Sequence, residues 1–306
     1  MKFEPSYVRL YKRGELDKRE ESLYRILENC ELCPRKCGKN RLKGERGVCE
    51  SGKELMISSY GPHFGEEGPL VGTGGSGTIF LTNCNLGCVY CQNYDISHLG
   101  IGREVSLEQA AYMMMDLQSK GCHNINLVTP THFTPQLVKS LNRAIELGLR
   151  LPIVYNCGGY ENVETIRLLK DIVDIYMPDI KYSSNDCGKK YSNAPDYFDR
   201  CREAVKEMHR QVGDLKIEGR IAYRGLLIRH LVLPNGLAGS DEVFRFISSI
   251  SGDTYVNVMD QYRPEGDAWV YPELSRRPAK EELHEAINLA RRYGLHRFSG
   301  AASILG

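Results

Sequence analysis

The sequence predicts an α/β protein whose parallel sheet closes, or half-closes, into a barrel. From residue 78 onward, six short runs rich in β-branched residues alternate with helical patterns. This alternation is typical of parallel strands joined by right-handed helical crossovers. Polar clusters follow these runs directly, and in such folds the chemistry lies at the carboxyl ends of the strands. The predicted strands are residues 78–81, 124–128, 152–155, 172–177, 226–233 and 255–259.

The predicted helices have recognisable ends. Ser106 and Gln109 have the spacing of a capping box, and Pro135 suits the first turn of the helix that follows Thr134. Residues 280–293 place apolar side chains on one face and stop at Gly294. Ahead of the barrel, residues 1–28 suit a short amphipathic helix. We therefore divide the chain into an N-terminal helix and cysteine-rich segment, residues 1–57, and a barrel, residues 58–306.

Composition excludes several classes of protein. The 306 residues carry 40 basic and 39 acidic side chains, so a nucleic-acid surface has no support. The first 25 residues lack the apolar stretch of a signal peptide, and no run of 18 apolar residues occurs. We expect a cytoplasmic protein that does not enter a membrane. Eleven cysteines in a reducing compartment favour metal or iron–sulfur ligation over a disulfide framework.

Three cysteines directly follow the first predicted strand. Cys84, Cys88 and Cys91 are separated by three and then two residues, with Tyr90 at the aromatic position. Three thiolates on a tight loop can ligate three irons of a [4Fe-4S] cubane and leave the fourth iron open to another ligand. The alternatives are a zinc knuckle or unligated core cysteines. An electron-transfer ferredoxin would need a fourth cysteine and a different spacing.

A second cysteine group lies upstream of the barrel. Cys30, Cys33, Cys37 and Cys49 form a compact set of four thiols, with Pro34, Gly44 and Gly47 between them. Four thiolates can hold structural zinc or an auxiliary [4Fe-4S] cluster, and the spacing does not choose between these. Free thiols are the third alternative.

The stretches GGSGTIFLTNCNLGCVYCQNY, NINLVTPTH, MPDIKY and LVLPN resemble uncharacterised radical S-adenosylmethionine (SAM) relatives of pyruvate formate-lyase activating enzyme. The resemblance covers nearly the whole chain and implies a partial (β/α)6 barrel. It implies a [4Fe-4S] cluster that cleaves SAM reductively to methionine and a 5′-deoxyadenosyl radical, with the cofactors carrying the chemistry. It also implies a low-potential electron donor such as flavodoxin or ferredoxin, and hydrogen abstraction from a glycine of a partner protein.

The same resemblance implies SAM-binding residues at three strand ends. Thr129 and His132 stand where the family has Gly-Gly-Glu-Pro, and Asn156 stands where it has an aspartate that contacts SAM. Asp179 and Lys181 match the family's Asp-Leu-Lys, whose acid and lysine contact the amino-acid end of SAM and surround the abstraction site. Their odd spacing places both side chains on one face of a strand. His132 as a helix cap, and Asp179 with Lys181 as a structural salt bridge, are the alternatives.

Two other functional readings stay open. The radical step could act on a small molecule or peptide. The alternative outside catalysis is an iron–sulfur or zinc protein used in electron transfer or assembly.

We interpret residues 63–67 as a surface turn, with a position at the barrel mouth as the alternative.

Overall fold

A computed structural model describes residues 3–300 and residue 302. Strands from the described residues form one mostly parallel sheet, in the order β10-β9-β8-β6-β5-β4-β2-β1-β3, and β7 pairs with β8 beside this path. The strands are β1 Leu55–His63, β2 Ser76–Leu81, β3 Arg103–Val105, β4 Ile125–Val128, β5 Ile153–Cys157, β6 Ile175–Pro178, β7 Lys216–Glu218, β8 Ile221–Leu231, β9 Tyr255–Met259 and β10 Arg297–Gly300. The order does not return to its start, which is consistent with a partial barrel.

Helices connect and cover the strands. They are α1 Ser6–Lys12, α2 Glu15–Ile26, α3 Gly68–Val71, α4 Tyr94–Ser97, α5 Leu107–Ser119, α6 Thr134–Glu146, α7 Val163–Leu168, α8 Asn185–Ser192, α9 Tyr197–Val212, α10 Ser240–Ile250 and α11 Lys280–Arg292. The predicted capping box of Ser106 and Gln109 begins α5. In the part of the chain described here, no helix has the length and apolar character needed to cross a membrane.

All six predicted strands are present, and they are parallel where they pair with one another. The strand predicted at 172–177 begins three residues later, and the strand predicted at 226–233 begins at Ile221 and ends at Leu231. The prediction missed β1, β3, β7 and β10. Strand β1 contains Gly61 and Pro62, two residue types that argue against a strand. On the side of β1 that faces β3, however, only residues 55–57 are paired. The Pro62 end of β1 is therefore an edge, where proline is tolerated.

The N-terminal region is packed against the sheet. The single amphipathic helix predicted within residues 1–28 is two helices, because Gly14 adopts the left-handed conformation between α1 and α2. The backbone N–H groups of Ser6 and Ile153 donate to the carboxyl group of Asp174, which ties the start of α1 to β5. The boundary predicted between residues 57 and 58 falls inside β1, so we propose that the N-terminal segment ends before Leu55.

The chain between β1 and β2 reaches the inner face of the sheet. Leu70 of α3 is buried in a cluster with Val154, Met177 and Leu227. Val154 lies two residues before Asn156 on β5, so both side chains point to the same face of that strand. Leu70 therefore packs against the inside of the partial barrel, and the interpretation of residues 63–67 as a surface turn is wrong for its last residues. Glu66 and Glu67 have little solvent exposure.

Candidate active site at the carboxyl ends of the strands

A cavity of about 230 Å³ opens where the parallel strands end. Such strand ends are where ligands bind in parallel α/β folds, because the connecting loops converge there. One wall carries the three cysteines that follow β2, and the opposite wall carries polar side chains from β5, β6 and β8. The lining includes Cys84, Cys88, Cys91, Thr129, Asn156, Asp179, Lys181 and Arg229. The structure thus brings seven of the predicted site residues together and adds an arginine.

Local contacts hold the cysteine loop in place. Asn83 has a φ of 69°, a left-handed conformation that asparagine tolerates, and it turns the chain out of β2. The N–H of Leu86 donates to the sulfur of Cys84 at 3.3 Å, and the hydroxyl of Ser97 donates to that of Cys91 at 3.1 Å. Hydrogen bonds to ligating sulfurs are one of the means by which proteins set the reduction potential of an iron–sulfur cluster.

The thiols of this loop suit a cationic ligand. Burial raises the pKa of Cys84 and of Cys88, and neighbouring thiols of the triplet raise both further. A thiol must lose its proton to ligate a metal, and a bound metal ion deprotonates its thiol ligands. One buried and two partly buried thiols line the cavity together and therefore fit a [4Fe-4S] cluster that keeps one iron open.

The opposite wall is an ion-pair network centred on Arg229. Its guanidinium donates to Asp179 Oδ1 at 2.8 Å and to Asn156 Oδ1 at 2.7 Å. Lys181 donates to the other carboxylate oxygen of Asp179 at 2.6 Å. Arg229 also forms an ion pair with Glu66, in which Nη1 of the arginine lies 3.7 Å from Oε2 of the glutamate. The predicted proximity of Asp179 and Lys181 is present, and the two side chains contact each other directly.

Electrostatics keep this network charged. Burial by itself would raise the pKa of Asp179, but the charges of Arg229 and Lys181 outweigh burial and hold that pKa below its usual range. Burial opposes the charge of Lys181 as well, yet Asp179 raises the pKa of the lysine above its usual value. Both side chains are therefore ionised at neutral pH. A lysine ammonium has three N–H donors, of which one goes to Asp179.

The structure places Thr129 and His132 differently. Thr129 lines the cavity in a left-handed conformation, with a φ of 59°. His132 is buried outside the set of residues that line the cavity, and its Nε2 lies 2.8 Å from the carbonyl oxygen of Thr82. Burial lowers its pKa to about 3, so the imidazole is neutral. The structure does not bring His132 to the cavity, and its predicted contact with SAM lacks geometric support.

Two site residues were missed from the sequence. Arg229 is the arginine within the otherwise apolar predicted strand 226–233 and shares a face with Leu227 and Leu231. A charge on the buried face of a strand is unusual enough to indicate a site. Glu66 comes from the segment interpreted as a turn, and no periodicity marks it as buried.

Backbone hydrogen bonds within the upstream cysteine segment close its loop. The N–H of Cys30 donates to the carbonyl oxygen of Lys39, and the N–H of Gly38 donates to that of Cys30. Burial raises the pKa of Cys33, and the adjacent Cys49 raises it further. A Cβ at Gly47 would lie 2.3 Å from the sulfur of Cys37, so glycine is needed for this approach. Throughout the described ranges, no group of three or more histidine, cysteine, aspartate or glutamate side chains is arranged to hold a single metal ion.

The chain contains a radical SAM superfamily domain. The model of that family matches residues 78–218, which include the cysteine triplet, Asp179 and Lys181. An uncharacterized protein of Methanocaldococcus jannaschii is 36% identical over 287 residues, covering 92% of this chain and 79% of that protein. A similar solved structure is that of TsrM from Kitasatospora setae, a radical S-adenosylmethionine methyltransferase with tryptophan substrate and the SAM analogue aza-SAM bound. Its TM-score is 0.46 at 12% identity, and the match covers 69% of this chain and 50% of that one, so this chain spans half the length of that structure.

Proposed function

We propose that this protein is an enzyme, a radical SAM oxidoreductase that cleaves SAM reductively and abstracts hydrogen from a substrate. One observation carries the proposal: the three thiols of the triplet line the same cavity as the charged network of Asp179, Lys181 and Arg229. A structural salt bridge would not need to line a cavity beside these thiols. A non-catalytic iron–sulfur protein would not need this network.

Each wall has a separate task in this proposal. Cys84, Cys88 and Cys91 would hold the [4Fe-4S] cluster, which when bound and reduced would supply the electron that splits SAM into methionine and the 5′-deoxyadenosyl radical. Lys181 donates hydrogen bonds to the carboxylate of SAM, and Asp179 accepts one from the amino group. A zwitterion that leaves water requires charged partners of this kind. Asn156, held by Arg229, supplies a further polar contact.

Exposed apolar side chains near the cavity support a protein as the hydrogen donor, as in the activating enzymes that the sequence resembles. Leu99 follows α4, and Trp269 belongs to the turn Gly266–Val270. These two segments meet at Tyr94, whose hydroxyl donates to Asp267 at 3.2 Å. Large exposed apolar side chains on neighbouring segments are typical of protein interfaces. A glycine-bearing loop of a partner protein is the substrate that we propose.

The mouth of the cavity favours a second candidate, a small molecule or short peptide. Gln92, which follows Cys91, donates to the carbonyl oxygen of Gln261 at 2.9 Å and so bridges the loops after β2 and β9. The volume of about 230 Å³ lies below the usual range for ligand pockets. A protein loop could enter only if this bridge opened.

We further propose a metal site at Cys30, Cys33, Cys37 and Cys49, holding zinc or an auxiliary iron–sulfur cluster. Four thiolates from one short segment are the ligand set that either group requires. Because the described side chains are not arranged around a single metal ion, we favour the iron–sulfur cluster, whose ligands are spread over a cubane. A flavodoxin or ferredoxin is the proposed electron donor, and the cytoplasm, where thiols stay reduced, is the proposed compartment.

Anaerobic turnover tests the proposed function. Protein reconstituted with iron and sulfide, then incubated with SAM and dithionite, should release 5′-deoxyadenosine and methionine in equal amounts, measured by mass spectrometry. Adding a protein or peptide substrate labelled with deuterium at glycine should move deuterium into the 5′-deoxyadenosine if a glycine is the hydrogen donor. Reconstituted protein that releases no 5′-deoxyadenosine would refute the proposal.

A further inference from the structure

The N-terminal cysteine segment, residues 30–52, contacts the cysteine loop of the barrel, residues 83–91, at two places. Arg35, between Cys33 and Cys37, donates from Nε to the carbonyl oxygen of Asn85 at 3.0 Å. Ser51 follows Cys49 by two residues, and its hydroxyl oxygen accepts from the amide of Asn83 at 3.4 Å. The side-chain contacts of the segment thus fall on both sides of Cys84.

Arg35 also reaches the helix that supports the rest of that loop. Its two terminal nitrogens donate to the carbonyl oxygens of Ser192 and Asn193 at the end of α8. The last carbonyls of a helix have no partner within it and favour a cation. Ser192 in turn contacts the barrel loop, because its hydroxyl lies 2.9 Å from the sulfur of Cys88 and its carbonyl accepts from the N–H of Gly87.

One guanidinium therefore joins three parts of the chain: the N-terminal segment, the carbonyl next to Cys84, and the helix end that touches Cys88. The guanidinium of arginine is planar and carries five N–H donors, so it can make all of these hydrogen bonds at once. A lysine ammonium could not make the same set. The ring of Tyr160 lies 5.3 Å from the guanidinium and adds a cation–π contact.

The position of Arg35 depends on the thiols around it. The chain from Cys30 to Gly38 contains no helix or strand. Its own backbone hydrogen bonds include those from Lys36 N–H to the Cys33 carbonyl oxygen and from Gly38 N–H to the Cys30 carbonyl oxygen. A metal bound by Cys33 and Cys37 would cross-link the chain on both sides of Arg35. Cross-linking of this kind removes conformational freedom from a loop.

We infer that the N-terminal cysteine segment is a brace for the SAM-cleaving loop: metal at its four thiolates fixes Arg35, and Arg35 fixes Cys84 and Cys88. The inference rests on the proposed function, since it assigns the barrel loop to the cluster. Arg35 is a positioning residue, because it touches the carbonyl beside a ligand and not the reacting atoms. The segment then controls how firmly the barrel cluster is held, whether its own metal is zinc or iron.

Cluster retention tests this brace. Arg35→Gln should lose the SAM-responsive cluster to a chelator about tenfold faster than the wild type, since several hydrogen bonds from a charged donor disappear. The measured signal is the EPR spectrum of the reduced protein that changes on addition of SAM. In the cluster-free protein loaded with zinc at the N-terminal segment, amide hydrogen exchange at Gly87 and Val89 should also accelerate. Lys36→Gln is the matched control, because Lys36 is adjacent, exposed and equally charged, and both measurements should match the wild type.

A variant of the proposed metal ligands completes a double-mutant cycle with Arg35. Cys33→Ser with Cys49→Ser should accelerate cluster loss as Arg35→Gln does, and combining all three changes should add little, because both act through one contact. Arg35→Lys keeps the charge but not the forked set of donors, so its rate of cluster loss should be closer to that of Arg35→Gln than to that of the wild type. It is the variant to use if Arg35→Gln does not fold. Arginine variants with wild-type cluster loss, or effects that multiply in the combined variant, would overturn the brace. A wild-type protein without any SAM-responsive signal would instead refute the proposed function.

Discussion

Replacing Asp179 with asparagine is expected to weaken SAM binding by about two orders of magnitude. The carboxylate neutralises two buried cations, Arg229 at 2.8 Å and Lys181 at 2.6 Å. Removing one partner of a buried ion pair leaves an uncompensated charge, which costs more than the loss of a surface pair. The dissociation constant of SAM, measured anaerobically by calorimetry on the reconstituted protein, checks the prediction.

Asp95→Asn is the control for that measurement. Asp95 lies on α4 at the same end of the barrel, but it is exposed and does not line the cavity, so its loss should leave SAM affinity unchanged. If Asp179→Asn bound SAM as tightly as Asp95→Asn and still released 5′-deoxyadenosine, the Asp179 network would be structural.

Replacing any one of Cys84, Cys88 and Cys91 with alanine is expected to remove the barrel cluster and with it all SAM cleavage. Two thiolates cannot hold the three irons that the site is proposed to ligate. Iron and sulfide analysis with Mössbauer spectroscopy measures the loss. Cys122→Ala is the control, because this thiol is buried in the core and does not line the cavity.

The triple alanine variant also separates the two cysteine groups. Cys30, Cys33, Cys37 and Cys49 come from a different segment, so about one site equivalent of zinc or of an iron–sulfur cluster should remain bound in that variant. A metal-free triple variant would argue against the N-terminal site. A triple variant that kept the barrel cluster and still cleaved SAM would refute the assignment of these cysteines.

Most of the parallel strands could be predicted because burial on both faces leaves continuous apolar runs in the sequence. The missed parallel strand is β10, which has four residues and pairs with β9 at the end of the sheet. The antiparallel strands could not be predicted in the same way. β3 and β7 have three residues each, too few for a period to show, and β1 carries Gly61 and Pro62. Their pairing depends on neighbours distant in sequence, which local patterns do not record.

The site was predictable where the spacing of residues along the sequence defines a ligand set. It was less predictable where side chains from distant strands come together. The triplet at Cys84 is defined by three residues on one loop, and Asp179 with Lys181 share one strand end. Arg229 meets them from another strand, and Glu66 comes from a loop without periodicity. His132 follows a strand end too, but its side chain turns toward the carbonyl oxygen of Thr82. Strand position alone does not determine where a side chain points.

The most direct measurement of the central claim is the EPR spectrum of the reduced, reconstituted protein with and without SAM. If the triplet holds a cluster whose open iron faces Asp179 and Lys181, added SAM should change the g-values of that cluster in the wild type. The same SAM concentration should change them far less in Asp179→Asn. A wild-type cluster with the same spectrum with and without SAM would contradict the account.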